Sequence, residues 1–167
     1  IHLVGDMHQP LHTVSRCTPE HPKGDAGGNL FKLAGAYSNL HKLWDAMGGQ
    51  YADSIANWCP YGQWALCEKQ EKQREAAVKT EAAALMREFP KDAFENEWFG
   101  PDAEGSWNED LLMGWARSSF DVVSTDPRVY GAVTEHAEPD SDYISFVQAT
   151  TRRRVVLGGY RLGRLLS

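Results

Sequence analysis

The chain has 167 residues, 42% of them hydrophobic and 24% charged, with a net charge of −6. This is enough for one domain with a real core, and the acidic balance excludes a protein that grips duplex DNA by phosphate neutralisation alone. No apolar run reaches the roughly 20 residues that a bilayer-spanning helix needs.

Residues 1–11 are apolar with spaced polar groups and predict the end of a buried helix, stopped near Pro10. Residues 13–28 hold Pro19, Pro22 and three glycines and read as a loop. Residues 29–33 suit a short strand turning at 34–37. A helix follows over 39–47 and ends at Gly48-Gly49. Residues 50–58 are a short helical candidate. Residues 68–89 are rich in Glu, Lys, Gln and Ala, and propensity and charge pairing both support a helix there. Pro90 breaks it, and a further helix is expected from Pro90 or Lys91 to Trp98. Residues 108–123 place Leu111, Leu112, Trp115 and Phe120 at helical spacing, whereas 126–139 is mixed and loop-rich. A long helix is expected over 142–166, with Tyr143, Phe146, Val147, Thr151, Val155, Leu162 and Leu166 near one face. With no repeat and no linker, the fold class is one mainly α-helical domain with a small β-hairpin.

The chemistry concentrates in the first quarter. Residues four apart share a helix face, so His2 and Asp6 point the same way, and so do His41 and Asp45. A His nitrogen beside an Asp oxygen suits zinc, which takes such ligands at about 2 Å. One His-x-x-x-Asp arises easily by chance. Two, with His12 one loop away, make a metal site the stronger reading than a core histidine at His2 or a solvated pair at His41 and Asp45. His8 is read as a structural or ligand-orienting residue, and His21 and His136 as solvated. The acidic net charge does not oppose work on phosphates, because a bound cation is a large local positive charge. Cys17, Cys59 and Cys67 leave two readings open: a small loop closed by Cys59 and Cys67, or three free thiols. The chain opens without an initiator Met or a signal-peptide pattern and is read as part of something longer.

The stretch HLVGDMHQPLH, then GDAGGN, then NLHKLWD, resembles the zinc-dependent, single-strand-specific class I nucleases. This is the fungal S1/P1 type, which includes the 3′-nucleotidase/nucleases. The likeness is dense from His2 to Asp45 and thinner through WARSS and GYRL near the end. It implies a mainly α-helical fold holding three zinc ions in a cleft. On this resemblance His2 and Asp6 are ligands of a buried zinc pair, with Asp6 bridging its metals. His12, His41 and Asp45 are the full protein ligand set of a third, more exposed zinc. Asn29 matches a polar residue near the scissile phosphate. The remaining ligands of the pair and a catalytic Asp lie upstream in the family, so about two-fifths of the enzyme is expected to precede Ile1. Where WARSS stands, the family pattern has a Glu near Ser118, an acid expected to buttress helix packing.

The implied activity is metal-assisted hydrolysis of single-stranded DNA and RNA to 5′-phosphate products, with 3′-nucleotidase activity alongside. Single-strand preference follows if a base stacks on an aromatic platform. Tyr37, Trp44 and Tyr61 are candidates for it, although aromatic residues at such positions more often fill a core. The family's place in the secretory pathway implies a Cys59–Cys67 disulfide. Two alternatives remain. Bacterial zinc-dependent phospholipase C shares the metal scaffold, but its pattern has His-x-x-x-Glu and lacks GGN. A non-catalytic zinc-binding fragment would keep only the His12, His41 and Asp45 site as a staple.

Overall fold

A computed structural model describes residues 2–51, 64–94, 97 and 109–166. Helix α1 spans His2–His8, and a 3-10 turn over Pro10–Thr13 follows it. Helix α2 spans Leu40–Asp45, with a 3-10 turn at Met47–Gly49. Helix α3 spans Trp64–Glu88, and a 3-10 turn at Lys91–Phe94 follows. Helices α4 (Glu109–Thr125), α5 (Arg128–Gly131) and α6 (Ser141–Leu166) complete the order. The mainly α-helical class holds. No helix among the described residues is long and apolar enough to cross a membrane.

The starts of the helices follow from short polar side chains. Asn39 accepts from the Lys42 N–H at 2.8 Å and so caps α2. Asp140 accepts from the Tyr143 N–H at 2.8 Å and opens α6. Gln9 does the same for the Pro10–Thr13 turn through the Leu11 N–H at 2.5 Å.

The main core gathers Leu11, Phe31, Leu40, Leu43, Trp44 and Val147 between the first loops and the N-terminal half of α6. Leu11, Leu40 and Leu43 are almost wholly out of water, a burial that contributes about 2 kcal/mol each. Trp44 is buried with its indole N–H donated to the Tyr143 hydroxyl at 3.2 Å, and that hydroxyl donates to the Val129 carbonyl at 2.6 Å. A second cluster sets Val4 against Leu111 and Trp115, and a third sets Leu85 and Phe94 against Leu157.

Several expectations change. The hairpin shrinks to one antiparallel bridge between Lys32 and Asn39. Strand pairing stops there because Asn39 turns straight into α2. The first helix is not buried: only Val4 and His8 are, and Leu3 is 73% exposed. The inner face of α6 runs through Tyr143, Val147, Thr151, Arg154, Leu157, Gly158 and Arg161, whereas Val155 and Leu166 face out. The cause is two buried arginines with polar partners and a glycine that admits the His8 ring. A Cβ at Gly158 would stand 3.1 Å from the His8 Cγ. Beyond Phe94 the expected helix to Trp98 lies mostly outside the described residues, and the described part is the single turn Lys91–Phe94. The short helix expected at 50–58 and the Cys59–Cys67 pairing also lie outside them. Cys17 is an exposed free thiol.

Candidate metal centre

Helix α1 is seven residues long, too short to persist alone. Tertiary contacts must therefore place Asp6. Its last carbonyls supply the handle. The Met7 carbonyl accepts from the Ser119 hydroxyl, and the His8 carbonyl accepts from Arg154 Nε at 3.3 Å. Arg154 also donates to Ser118 at 2.9 Å and to Ser119 at 2.5 Å.

His8 completes the anchor. Its Nδ1 donates to the Val4 carbonyl at 2.7 Å, and Arg161 donates to its Nε2 at 2.9 Å. Both ring nitrogens are engaged, so His8 is a structural residue and ligates nothing. Burial, with the charges of Arg154 and Arg161 adding to it, pushes its pKa down to about 4. The native state therefore binds fewer protons than the unfolded chain between about pH 4 and 6.5. Stability from this group is full above that window and falls as pH drops through it. Urea unfolding with chelator present should show about 2 kcal/mol less stability at pH 5 than at pH 7 from His8 alone. His8→Gln should flatten that difference. An unchanged slope in the variant would remove His8 as its source.

With α1 anchored, five side chains form one chain of donors and acceptors. His2 Nε2 stands 3.2 Å from Asp6 Oδ2, and Asp6 Oδ1 stands 3.6 Å from His12 Nδ1. His12 Nε2 stands 3.1 Å from Asp45 Oδ1, and Asp45 Oδ2 stands 3.5 Å from His41 Nε2. The His12 and His41 rings stack at 4.9 Å with 13° between planes. One ligand atom from each of His12, His41 and Asp45 lies within 4.8 Å of the others. His41 is half-buried, and His12 and Asp45 are open to solvent. His41 Nδ1 donates to the Gly27 carbonyl at 2.8 Å, which leaves Nε2 as its free donor atom toward Asp45. Gln9 holds Asp45 from the other side, donating to Oδ1 at 2.8 Å. Two imidazoles and a carboxylate converging this way fit a divalent transition metal with an open coordination position.

The group lies at the mouth of a cavity of about 700 Å³, walled by Met47, Val155, Leu162 and the edge of Trp44. Trp44 borders this cavity and is wholly buried as a core residue. Asn29 does not reach it. Its carboxamide turns back to the Ala26 carbonyl at 2.9 Å and closes its own loop. Tyr37 is half-buried and packs against the main core, away from the cavity. Tyr61 lies outside the described residues. Sequence reasoning passed over Gln9 and the Gly27 carbonyl, although Gln9 stands inside the quoted His-Gln-Pro-Leu-His run.

A family model described as S1/P1 nuclease matches residues 1–167. The chain belongs to the S1/P1 nuclease family. Neither a curated protein nor a solved structure matches it. Membership makes it a nuclease of a metal-dependent family, with nucleic acid as substrate, and the His12, His41 and Asp45 group is its candidate metal site. Near Ser118, where a Glu was expected, Glu97 comes from elsewhere in the chain. Ser118 donates to Glu97 at 3.2 Å, and Glu97 lies 3.7 Å from Arg161 and 3.8 Å from Arg153. A carboxylate from another part of the chain thus faces the buried Arg161 and the half-buried Arg153 of this S1/P1 nuclease.

Proposed function

We propose that this nuclease is a zinc-dependent endonuclease that hydrolyses single-stranded DNA and RNA to 5′-phosphate products and also acts on 3′-nucleotides. The observation that carries the reading is the convergence of His12, His41 and Asp45, next to the His2–Asp6 pair, at the mouth of one cavity. Zinc held by His12, His41 and Asp45 supplies positive charge to phosphoryl oxygens and Lewis acidity toward the scissile bond. The chain's own part is to present the donors. Gly27 and Gln9 orient His41 and Asp45, so little reorganisation is left for the reaction. An unpaired base offers apolar faces to the Val155, Leu162 and Met47 wall, and a duplex hides those faces.

His2 and Asp6 give two ligands where zinc takes four or five. The reading therefore includes a further segment of the same protein that would supply the remaining ligands beside His2 and Asp6. An exposed apolar groove beside Asp6, lined by Leu3, Leu112, Leu165 and Leu166, supports a docking place for it. Passage through the secretory pathway, with a Cys59–Cys67 disulfide, belongs to the same reading.

The test pairs elemental analysis with cleavage on the natural protein. Bound zinc, chelator-sensitive cutting of a single-stranded oligonucleotide and 5′-phosphate ends are expected, with little cutting of a duplex. Cleavage of a choline phospholipid in place of the oligonucleotide would favour the lipase alternative. Zinc binding without any hydrolysis would favour the staple alternative.

A further inference from the structure

The loop over residues 24–29 runs left-handed and is strained at Ala26. Gly24, Gly27 and Gly28 have φ of 93°, 64° and 81°, and Ala26 joins them at 53°. Glycine takes such angles freely, whereas alanine does so at a cost. The loop is also pressed hard. A Cβ on Gly27 would stand 2.2 Å from the Leu11 carbonyl oxygen, inside the turn that carries His12. A Cβ on Gly28 would stand 3.2 Å from the Leu40 Cβ, beside His41 on α2. The loop is thus a wedge between the two segments that bring the imidazoles together. Strain of this kind persists only where the surroundings hold it.

Asp25 is the holding group. It is 1% exposed, its Oδ1 accepts from the Arg16 N–H at 2.9 Å, and its carbonyl accepts from the Leu30 N–H at 3.0 Å. Its carboxylate lies beside the Tyr130 hydroxyl, whose pKa burial and Asp25 together push up. Arg16 lies over the Tyr130 ring at 4.3 Å and the Phe31 ring at 5.4 Å. Asp25 Oδ2, Arg16 Nε and the Tyr130 hydroxyl are all buried atoms, and the hydroxyl interacts with the Asp25 carboxylate. A buried carboxylate beside a buried phenol is costly to place, and here it sits at the root of the wedge.

We propose that Asp25 is a positioning residue of the metal centre: it holds the loop so that the Gly27 carbonyl sets the tautomer and rotamer of His41. The metal consequence rests on the zinc reading above; the consequence for His41 does not.

The experiment is Asp25→Asn in the full chain, read in two ways. In the metal-free protein, nitrogen NMR of the histidine side chains reports the His41 tautomer. The unaltered protein should show the proton on Nδ1, and Asp25→Asn should show a mixture. Zinc affinity by chelator competition should weaken by about 10- to 100-fold. Leu85→Ala, a core truncation in another cluster, should lower the melting temperature and leave both readouts unmoved. That comparison separates positioning from general destabilisation. If Asp25→Asn does not fold, Tyr130→Phe decides, with a smaller shift of the same kind expected. An unchanged His41 tautomer in the deciding variant overturns the proposal. Failure of the unaltered protein to bind zinc would overturn the zinc reading and leave the tautomer result to judge Asp25.

Discussion

On the proposed zinc reading, replacing His41 with alanine should remove one bound zinc per chain and lower cleavage of single-stranded DNA by about 100- to 1000-fold, the scale of losing one fixed source of charge stabilisation. The expectation rests on ligand count. Among the described residues one group of three His and Asp side chains comes within metal-holding distance, and His41 is a third of it. The substitution should cost little else. His41 is half-buried on a helix whose packing rests on Leu40, Leu43 and Trp44. A stable fold with zinc lost and activity lost is therefore the expected combination. Elemental analysis and kcat/KM on one preparation check it. Full zinc content with full activity would end the assignment of His41.

Arg161→Met should destabilise the fold by about 3 to 5 kcal/mol, the cost of removing one member of a buried charged network. Arg161 is 1% exposed, donates to His8 Nε2, faces Glu97 and stacks over Trp115 at 5.4 Å. Its own pKa is pushed down to about 10, chiefly by burial and then by Arg154. The variant leaves His8 with an unpaired acceptor and Glu97 with one fewer cation. Methionine keeps much of the apolar stem, so lost packing is the smaller part. The midpoint of urea unfolding measures the effect. A shift worth under about 1 kcal/mol would mean that the arginine pair is a dispensable feature of the core.

The two His–Asp pairs of the candidate site were legible because their spacing is local. Four residues make just over one helical turn, so His2 with Asp6, and His41 with Asp45, share a face whatever the rest of the fold does. The helices over 64–88, 109–125 and 141–166 were legible for a similar reason, since propensity and apolar period act along the chain. The inner face of α6 was not. The expected face did not include Arg154 or Arg161, and the His8 carbonyl, the His8 ring, Ser118, Ser119 and Glu97 make their burial tolerable. The orientation of Asn29 was not legible either, because the left-handed run before it sets its carboxamide to donate to the Ala26 carbonyl.

The sequence by itself therefore determined the helical class, the shared faces of the two His–Asp pairs and the family, because each is written in spacing of a few residues. Tertiary structure alone decided that His12 stands between Asp6 and Asp45. It also decided that Gly27 and Gln9 aim the ligands, and that a buried arginine pair seats the helix bearing Asp6. The physical reason is range. Helical periodicity acts over one turn, whereas the orientation of a ligand depends on partners tens to more than a hundred residues away.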